Sequence, residues 1–473
     1  MDRRRKTSFS FVNLTHPDDL KDENTRLHIR SLAMTEVGKS RRKPRTKRER
    51  NEIILEFRKP DEMRLGIERL GGQADPFSPY PFDLDESARM LVANIFSPNT
   101  NHASQLLGSW YPVGLSSAAS FHHVLANSHN FLSQKRNGRF PSQDDHIALT
   151  HRQKAFRCTI EMMKDSSRHK SDEMIGAVVS MMSHLALLGS FGNGDWDNHR
   201  NAFAKIIALR GGYDTVVNES LRITITWVDL IGCFAQDVPP IVPMPSRWEY
   251  DSKSPQHSPR PSSAISLLWK QQMIGTVDWI SVFDDIVQFI SLDRTFAVEQ
   301  KQLACTSGSW MEPTVYKLLA IRPLQNGSQS EHEMEEICRL GTLLFLAPFW
   351  RALGQSPVRT AAISRNLFFL LGRNHVEWGQ LNPLLIWILY FAAIETENHV
   401  ERSHFVLMLS AVLKSMNLEE WDEIMRIVQG VLWAENIFAG SDRLICDQVM
   451  RAMNYNSVAH GLLEAAPAPI EWY

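Results

Sequence analysis

A chain of 473 residues offers roughly three domains' worth of polypeptide, or one large helical body with an appendage. With 43% hydrophobic, 22% charged and 9% aromatic residues it has ample material for a core, which excludes wholesale disorder. The formal net charge of −2 is unevenly spread: residues 1–50 hold 15 Lys/Arg against 7 Asp/Glu, a net of +8, so the other 423 carry −10. A basic arm on a mildly acidic body suits work among nucleic acids, although acidic proteins and anionic lipid also attract such arms.

The opening "MDRRRKTSFSFVNL" runs from charge into a mixed segment with no apolar core of a signal peptide, so synthesis in the cytosol is expected. After Thr15 and Pro17, Leu20, Leu27 and Met34 recur at seven-residue spacing, enough for one exposed helix. It leads into "KSRRKPRTKRER", where Lys39, Arg41, Arg42, Lys43, Arg45, Lys47, Arg48 and Arg50 stand against a single Glu. The order is the reverse of a basic leucine zipper, and Pro44 breaks any helix inside the run. Such a cluster gives salt-sensitive, sequence-independent grip on phosphates, with Kd about 10⁻⁴ to 10⁻⁶ M. Reading bases needs side chains held by a folded element. The favoured reading is an address for the import machinery, hence a nuclear protein, with incidental nucleic-acid affinity; a DNA-binding arm and a merely solvated tail are the alternatives. Gly and Pro in "LGGQADPFSPYPF" close this arm, residues 1–72, which is expected to be flexible.

Residues 73–473 read as one all-α, multi-helix domain, because apolar residues recur at three and four with little strand-like alternation. Helices are expected at His146–Met163, Asp172–Leu188, Asp197–Arg210, Leu267–Ile290, Glu331–Leu353, Ser364–Gly372, Leu381–Ile394 and Glu401–Met416. In Asn417–Trp433 the apolar stripe Trp421, Ile424, Met425, Val428, Val431 and Leu432 marks another, with Asn417 and Glu420 at capping-box spacing. His122, His123 and His129 lack the spacing of a metal site, and Asp144, Asp145 and His146 fit a helix start. "GSFGNGDW" has no preceding strand and no following Lys-Ser/Thr, so it reads as a helix-to-helix turn. In "DNHRNAFAKIIALRGGYDTV", Arg210 ends a helix and Gly211-Gly212 supplies the left-handed exit.

Seven prolines and six serines in Asp237–Ser263 rule out a continuous helix there and make residues 237–263 a loop within the body, with Ser254 and Ser258 as phosphorylation candidates before proline. The apolar runs "LGTLLFLAPFW" and "LLIWILYFAAI" are about 11 residues, short of the roughly 18 to 20 a bilayer requires, so buried helices and no membrane association are expected. Cys158, Cys233, Cys305, Cys338 and Cys446 lie 33 or more residues apart, which points to free, mostly buried thiols in a reducing compartment. No G-x-S-x-G elbow or activated nucleophile is visible, and neither catalysis nor a cofactor or metal is expected.

The segment carrying His199, Arg210, Gly211 and Gly212, followed by "LRITITWVDL" with Trp227 and Asp229, resembles the helical region of fungal zinc-cluster regulators, the fungal-specific transcription factor domain. "WVDLIGCFAQDVPPIVP", "ICRLGTLLFLAPFW", "EEWDEIMRIVQGVLW" and the N-terminal "DPFSPYPFDLD" are similar to further parts of that family. The resemblance implies a regulatory domain acting in transcription through protein partners or a small effector. The family's DNA reader is built from six closely spaced cysteines, whereas residues 1–157 contain none, so sequence-specific DNA reading does not carry over. A cytoplasmic helical scaffold and an all-α enzyme with a pocket between helices remain the rival expectations.

Overall fold

The computed structural model describes residues 80–96, 107–246, 311–326, 330–352, 357–373 and 376–454, with positions 248, 279, 282, 283, 285 and 286. The helix expected after Thr15, the basic run Lys39–Arg50, Ser254, Ser258, Cys305 and most of Leu267–Ile290 lie outside the described residues. Among those described, all regular structure is helical.

Local signals in the sequence explain where most helices begin and end. Helix α1 (Glu86–Ile95) is capped by Asp85, whose carboxylate accepts the Ala88 N–H at 2.7 Å, and it buries Ala88, Leu91, Val92 and Ile95 at helical spacing. That stripe packs on Phe121, Val124 and Leu125 of α3 (Ala118–Asn137), just after α2 (Leu107–Leu115). Helix α4 (His146–Met163) starts at Asp145, which accepts the N–H groups of Ile147 and Ala148, both at 3.0 Å. Helix α5 (Asp172–Leu188) starts at Ser171 and stops at Gly189 in the left-handed conformation.

The next helix, α6 (Asp195–Arg210), begins two residues before the expected Asp197. Gly194, at φ 70°, turns the chain, and Asp195 and Asp197 both lie in the first turn, where the helix dipole favours acids. Gly211 and Gly212, at φ 107° and 104°, make the expected exit. Helix α7 (Glu219–Gln236) is capped by Asn218 and ends at Asp237.

Beyond the proline-rich segment follow α8 (Glu312–Ala320), α9 (Ser330–Ala352), α10 (Ala361–Arg373), α11 (Asn382–Glu395), α12 (His399–Ser415), α13 (Trp421–Val431) and the short α14 (Glu435–Phe438). The proposed capping box at Asn417 does not form. Asn417 sits at φ 56° and donates its N–H to Lys414 O, while Leu418 N–H bonds Leu413 O, so these residues finish α12 rather than start α13. Asn tolerates the left-handed region better than most residues, and the helix end takes it first. Helix α13 consequently begins at Trp421 with no side-chain cap and ends before Leu432.

The core centres on α11, whose Leu384 to Ala393 are all buried, packed against the buried face of α9. Phe345, Trp387, Phe391 and Phe438 form an aromatic knot with centroids 4.8 to 5.3 Å apart. Trp387 Nε1 donates to Leu432 O at 2.8 Å, so the one polar atom of this buried indole is satisfied. Among the described residues no helix is long and apolar enough to cross a membrane.

An ionic clasp joins the two sides of the proline-rich segment. Asp237, at φ 53°, accepts both Nη groups of the fully buried Arg339 at 2.7 and 2.9 Å, together with Arg322 at 3.1 Å and Asn366 at 2.7 Å. Glu336 accepts from Arg339 Nε at 2.9 Å and from its Nη2 at 2.6 Å. Burial would raise the Asp237 carboxyl, but Arg339 and Arg322 outweigh it and hold the group below its usual range. The expected loop therefore starts at a residue anchored in the body.

Candidate functional site

Helices α2, α3, α5 and α7 converge around a cavity of about 60 Å³. Each contributes through its helical period. Trp110 and Val113 come from α2; His123, Asn127 and Phe131 lie on one side of α3; Ser180, Ser183 and Leu187 recur along one face of α5; and Thr224, Trp227 and Val228 come from α7. The small serines leave room that the aromatic walls do not fill. Trp110, Asn127, Ser180 and Ser183 are half-buried, whereas His123 and Trp227 are buried.

Among the described residues, two polar groups on this wall find no partner. His123 is 1% exposed and neither ring nitrogen has a hydrogen bond; the Nε1–H of Trp227, 6% exposed, has no acceptor. Buried polar atoms are normally satisfied, and an unmet one costs about 1 to 3 kcal/mol. Burial, then the nearby charges of His184 and Arg152, push the His123 imidazole well below its ordinary range, so its ring is neutral and offers one donor and one acceptor.

Behind His123 lies a polar relay that the helix-start reading of Asp144 did not anticipate. Asp145 is the cap; the Asp144 side chain, 3% exposed, is a hub instead. His184 bridges Asn127 Oδ1 at 2.6 Å and Asp144 Oδ2 at 2.9 Å, while Asn130 donates to Asp144 at 2.9 Å and Arg152 lies 3.4 Å from it. Burial alone would raise the Asp144 carboxyl; the hydrogen bonds from His184 and Asn130 and the charge of Arg152 prevail and hold it at about 2. His122 and His151 face each other at 3.2 Å between ring nitrogens, and burial first, then neighbouring charge, lowers both to about 4. His129 instead pairs with Asp145 at 2.5 Å. Among the described residues no group of three or more His, Cys, Asp or Glu is arranged to hold a metal.

The six residues carrying the sequence resemblance do not form one site. Arg210 joins the end of α6 to the start of α5, donating to Lys170 O at 3.2 Å, to the Asp172 carboxylate and to Thr215 O at 2.9 Å, just before the Gly211-Gly212 turn. Asp229 ties α7 to α6 and to the following loop: Arg200 Nε donates to Oδ1 at 2.7 Å, and the Ile241 and Val242 N–H groups donate to Oδ2 at 2.9 and 3.3 Å. His199 is half-buried beside Phe156 and touches neither cavity nor clasp. Trp227 alone of the six lines the cavity.

Sequence reasoning passed over Arg200, although its neighbour His199 was singled out. Arg200 also donates to Pro239 O at 2.7 Å and its guanidinium lies 5.1 Å from the Trp196 ring. It likewise missed His184, whose signal was a lone histidine within the otherwise apolar run "MMSHLALL". Cys233 and Cys338 are buried, as expected, while Cys158 and Cys446 are only half-buried.

Neither curated proteins nor solved structures gave a match to this chain. The fungal specific transcription factor domain matches residues 90–455, spanning α2 to α14 and most of α1, and the chain belongs to that family.

Proposed function

We propose that this chain is a transcription regulator that works in the nucleus, where its helical body responds to protein partners or a small effector. The observation that carries the reading is the family match over residues 90–455, since the fungal specific transcription factor domain is a regulatory rather than a catalytic module. The run Lys39–Arg50 supplies the address for nuclear import and incidental phosphate affinity. With its five cysteines 33 or more residues apart, the sequence offers no zinc cluster of its own for reading DNA, so sequence-specific occupancy comes through partners. Among the described residues the cavity lining contains one histidine and no acid or thiol, which favours binding over catalysis.

The test is to image a tagged chain with and without Lys39–Arg50 and to record transcript changes when the gene is deleted. Nuclear concentration that collapses on removal of the run, with a defined set of altered transcripts, supports the reading. A deletion that stays nuclear defeats the import role, and a full chain confined to the cytoplasm with unchanged transcripts favours a scaffold. Tight binding of the purified chain to one DNA sequence over shuffled competitors would overturn dependence on partners.

A further inference from the structure

We infer that the cavity between α2, α3, α5 and α7 is a binding site for a small, neutral, ring-sized molecule that presents an oxygen acceptor to the Trp227 indole N–H and a hydroxyl or carbonyl to His123. The identification of this molecule as a regulatory effector rests on the reading above; the site itself rests on the geometry.

Three features select this chemistry. The walls are mainly apolar side chains and two indole rings, so most of the ligand surface is apolar. The unmet hydrogen-bonding atoms are few and specific: one indole donor and the two nitrogens of a neutral imidazole, all buried. Among the described residues no carboxylate, lysine or arginine lines the space, so a charged ligand loses its hydration without gaining a counter-charge there. The volume of about 60 Å³ lies between the roughly 10 to 15 Å³ that one ordered water needs and the roughly 150 Å³ of an apolar cavity that takes up benzene, so the enclosed space admits part of one small ring, the rest extending toward the half-buried residues of the lining.

Ser180 and Ser183 stand three residues apart on α5 and, with Trp110 and Asn127, are the half-buried residues of the lining. The Asn127–His184–Asp144 relay sits behind the same wall and fixes the amide of Asn127. This rigid backing leaves His123 and Trp227 as the buried groups that a ligand would satisfy.

The probes are cyclohexanone and phenol, with toluene as the oxygen-free ring and benzoate and cyclohexylammonium as charged counterparts. Titration of the full chain is followed by ligand-detected NMR and by the ¹⁵N-indole resonances, that of Trp227 being identified by its loss in Trp227→Phe. Cyclohexanone and phenol should shift the Trp227 resonance and bind more tightly than either charged probe. Trp227→Phe should weaken cyclohexanone about fivefold to tenfold, the worth of one hydrogen bond, while toluene changes less than twofold. Ser183→Phe, which fills the space from a half-buried position, should abolish binding of all rings while the helical content of the chain is unchanged.

No binding of any neutral ring at millimolar concentration would overturn the site, and so would binding undiminished by Ser183→Phe or charged probes that bind as tightly as neutral ones. Binding that follows the predicted order without changing the transcripts of the preceding test would uphold the site and sink the effector reading alone.

Discussion

The Arg200–Asp229 pair, which clasps α6 to α7, gives the sharpest energetic prediction. The Asp229 side chain is 2% exposed and that of Arg200 12%, so both charges have left water and depend on each other. Asp229→Ala leaves the guanidinium with only Pro239 O and the Cys233 sulfur, and deprives the Ile241 and Val242 amides of their acceptor. Breaking one partner out of such a buried pair costs about 3 to 5 kcal/mol. A domain with about 5 to 15 kcal/mol of total stability would lose a large share of it. Arg200→Met should cost less, about 2 to 3 kcal/mol, because Asp229 keeps two backbone donors and the Met side chain still covers Trp196. In the double variant the second substitution removes a group already orphaned by the first, so the combined loss should fall short of additivity by about 2 kcal/mol. Urea unfolding followed by tryptophan fluorescence measures all three values. Single-variant losses below about 1 kcal/mol that simply add would refute the clasp as a coupled unit.

Other expectations follow from particular contacts. A Cβ added at Gly232 would lie 1.9 Å from Trp196 Cζ2, so Gly232→Ala should destabilise by about 2 kcal/mol or more despite alanine's higher helix propensity; an unchanged or raised Tm would contradict the packing of α6 on α7. His122 and His151 titrate near 4 in the fold against about 6.5 when unfolded, so the unfolded chain takes up their protons first. Their contribution is complete above pH 6.5 and lost as pH falls from about 6.5 to about 4, and His151→Phe should flatten the stability profile in that window, as read by urea midpoints at successive pH values. His123→Phe removes two unmet ring nitrogens and sets a larger ring against the space of the cavity, and should raise stability by about 1 to 2 kcal/mol in thermal unfolding, whereas a loss would contradict either the unmet imidazole or the room beside it.

Much of the helical layout was legible because its punctuation is local. The bounds of α4 and α5 follow from Asp145, Ser171 and Gly189, each of which acts through neighbours two to four residues away. Where the punctuation has no side chain to announce it, as at Gly194 before α6, the expected start was two residues late. Asn417 misled for a different reason: the same residue type suits a helix start and a left-handed stop, and only the bonds back to α12 decide which. The fully buried run from Leu384 to Ala393 declared itself by composition alone.

The candidate site was far less legible. Its walls come from residues between 110 and 228 on four helices, and nothing in "FHHVLANSH" tells which histidine faces the cavity and which pairs with His151. Trp227 was noticed for its place in a motif, not for an indole N–H left without an acceptor. The pairing of Arg200 with Asp229 spans 29 residues, and that of Arg339 with Asp237 spans 102, so tertiary packing creates both. Residue type signalled a charge that would be buried only if paired; the identity of the partner was not encoded locally.

The proposed function requires that the helical body regulate transcription and that the cationic run bring it to the nucleus. Chromatin occupancy in fungal cells, mapped for the full chain and for a chain lacking Lys39–Arg50, tests this most directly. The full chain should give discrete peaks, and the deletion should lose them together with the nuclear signal. A full chain with no occupancy above background, or a deletion whose peaks and nuclear signal are undiminished, would contradict it.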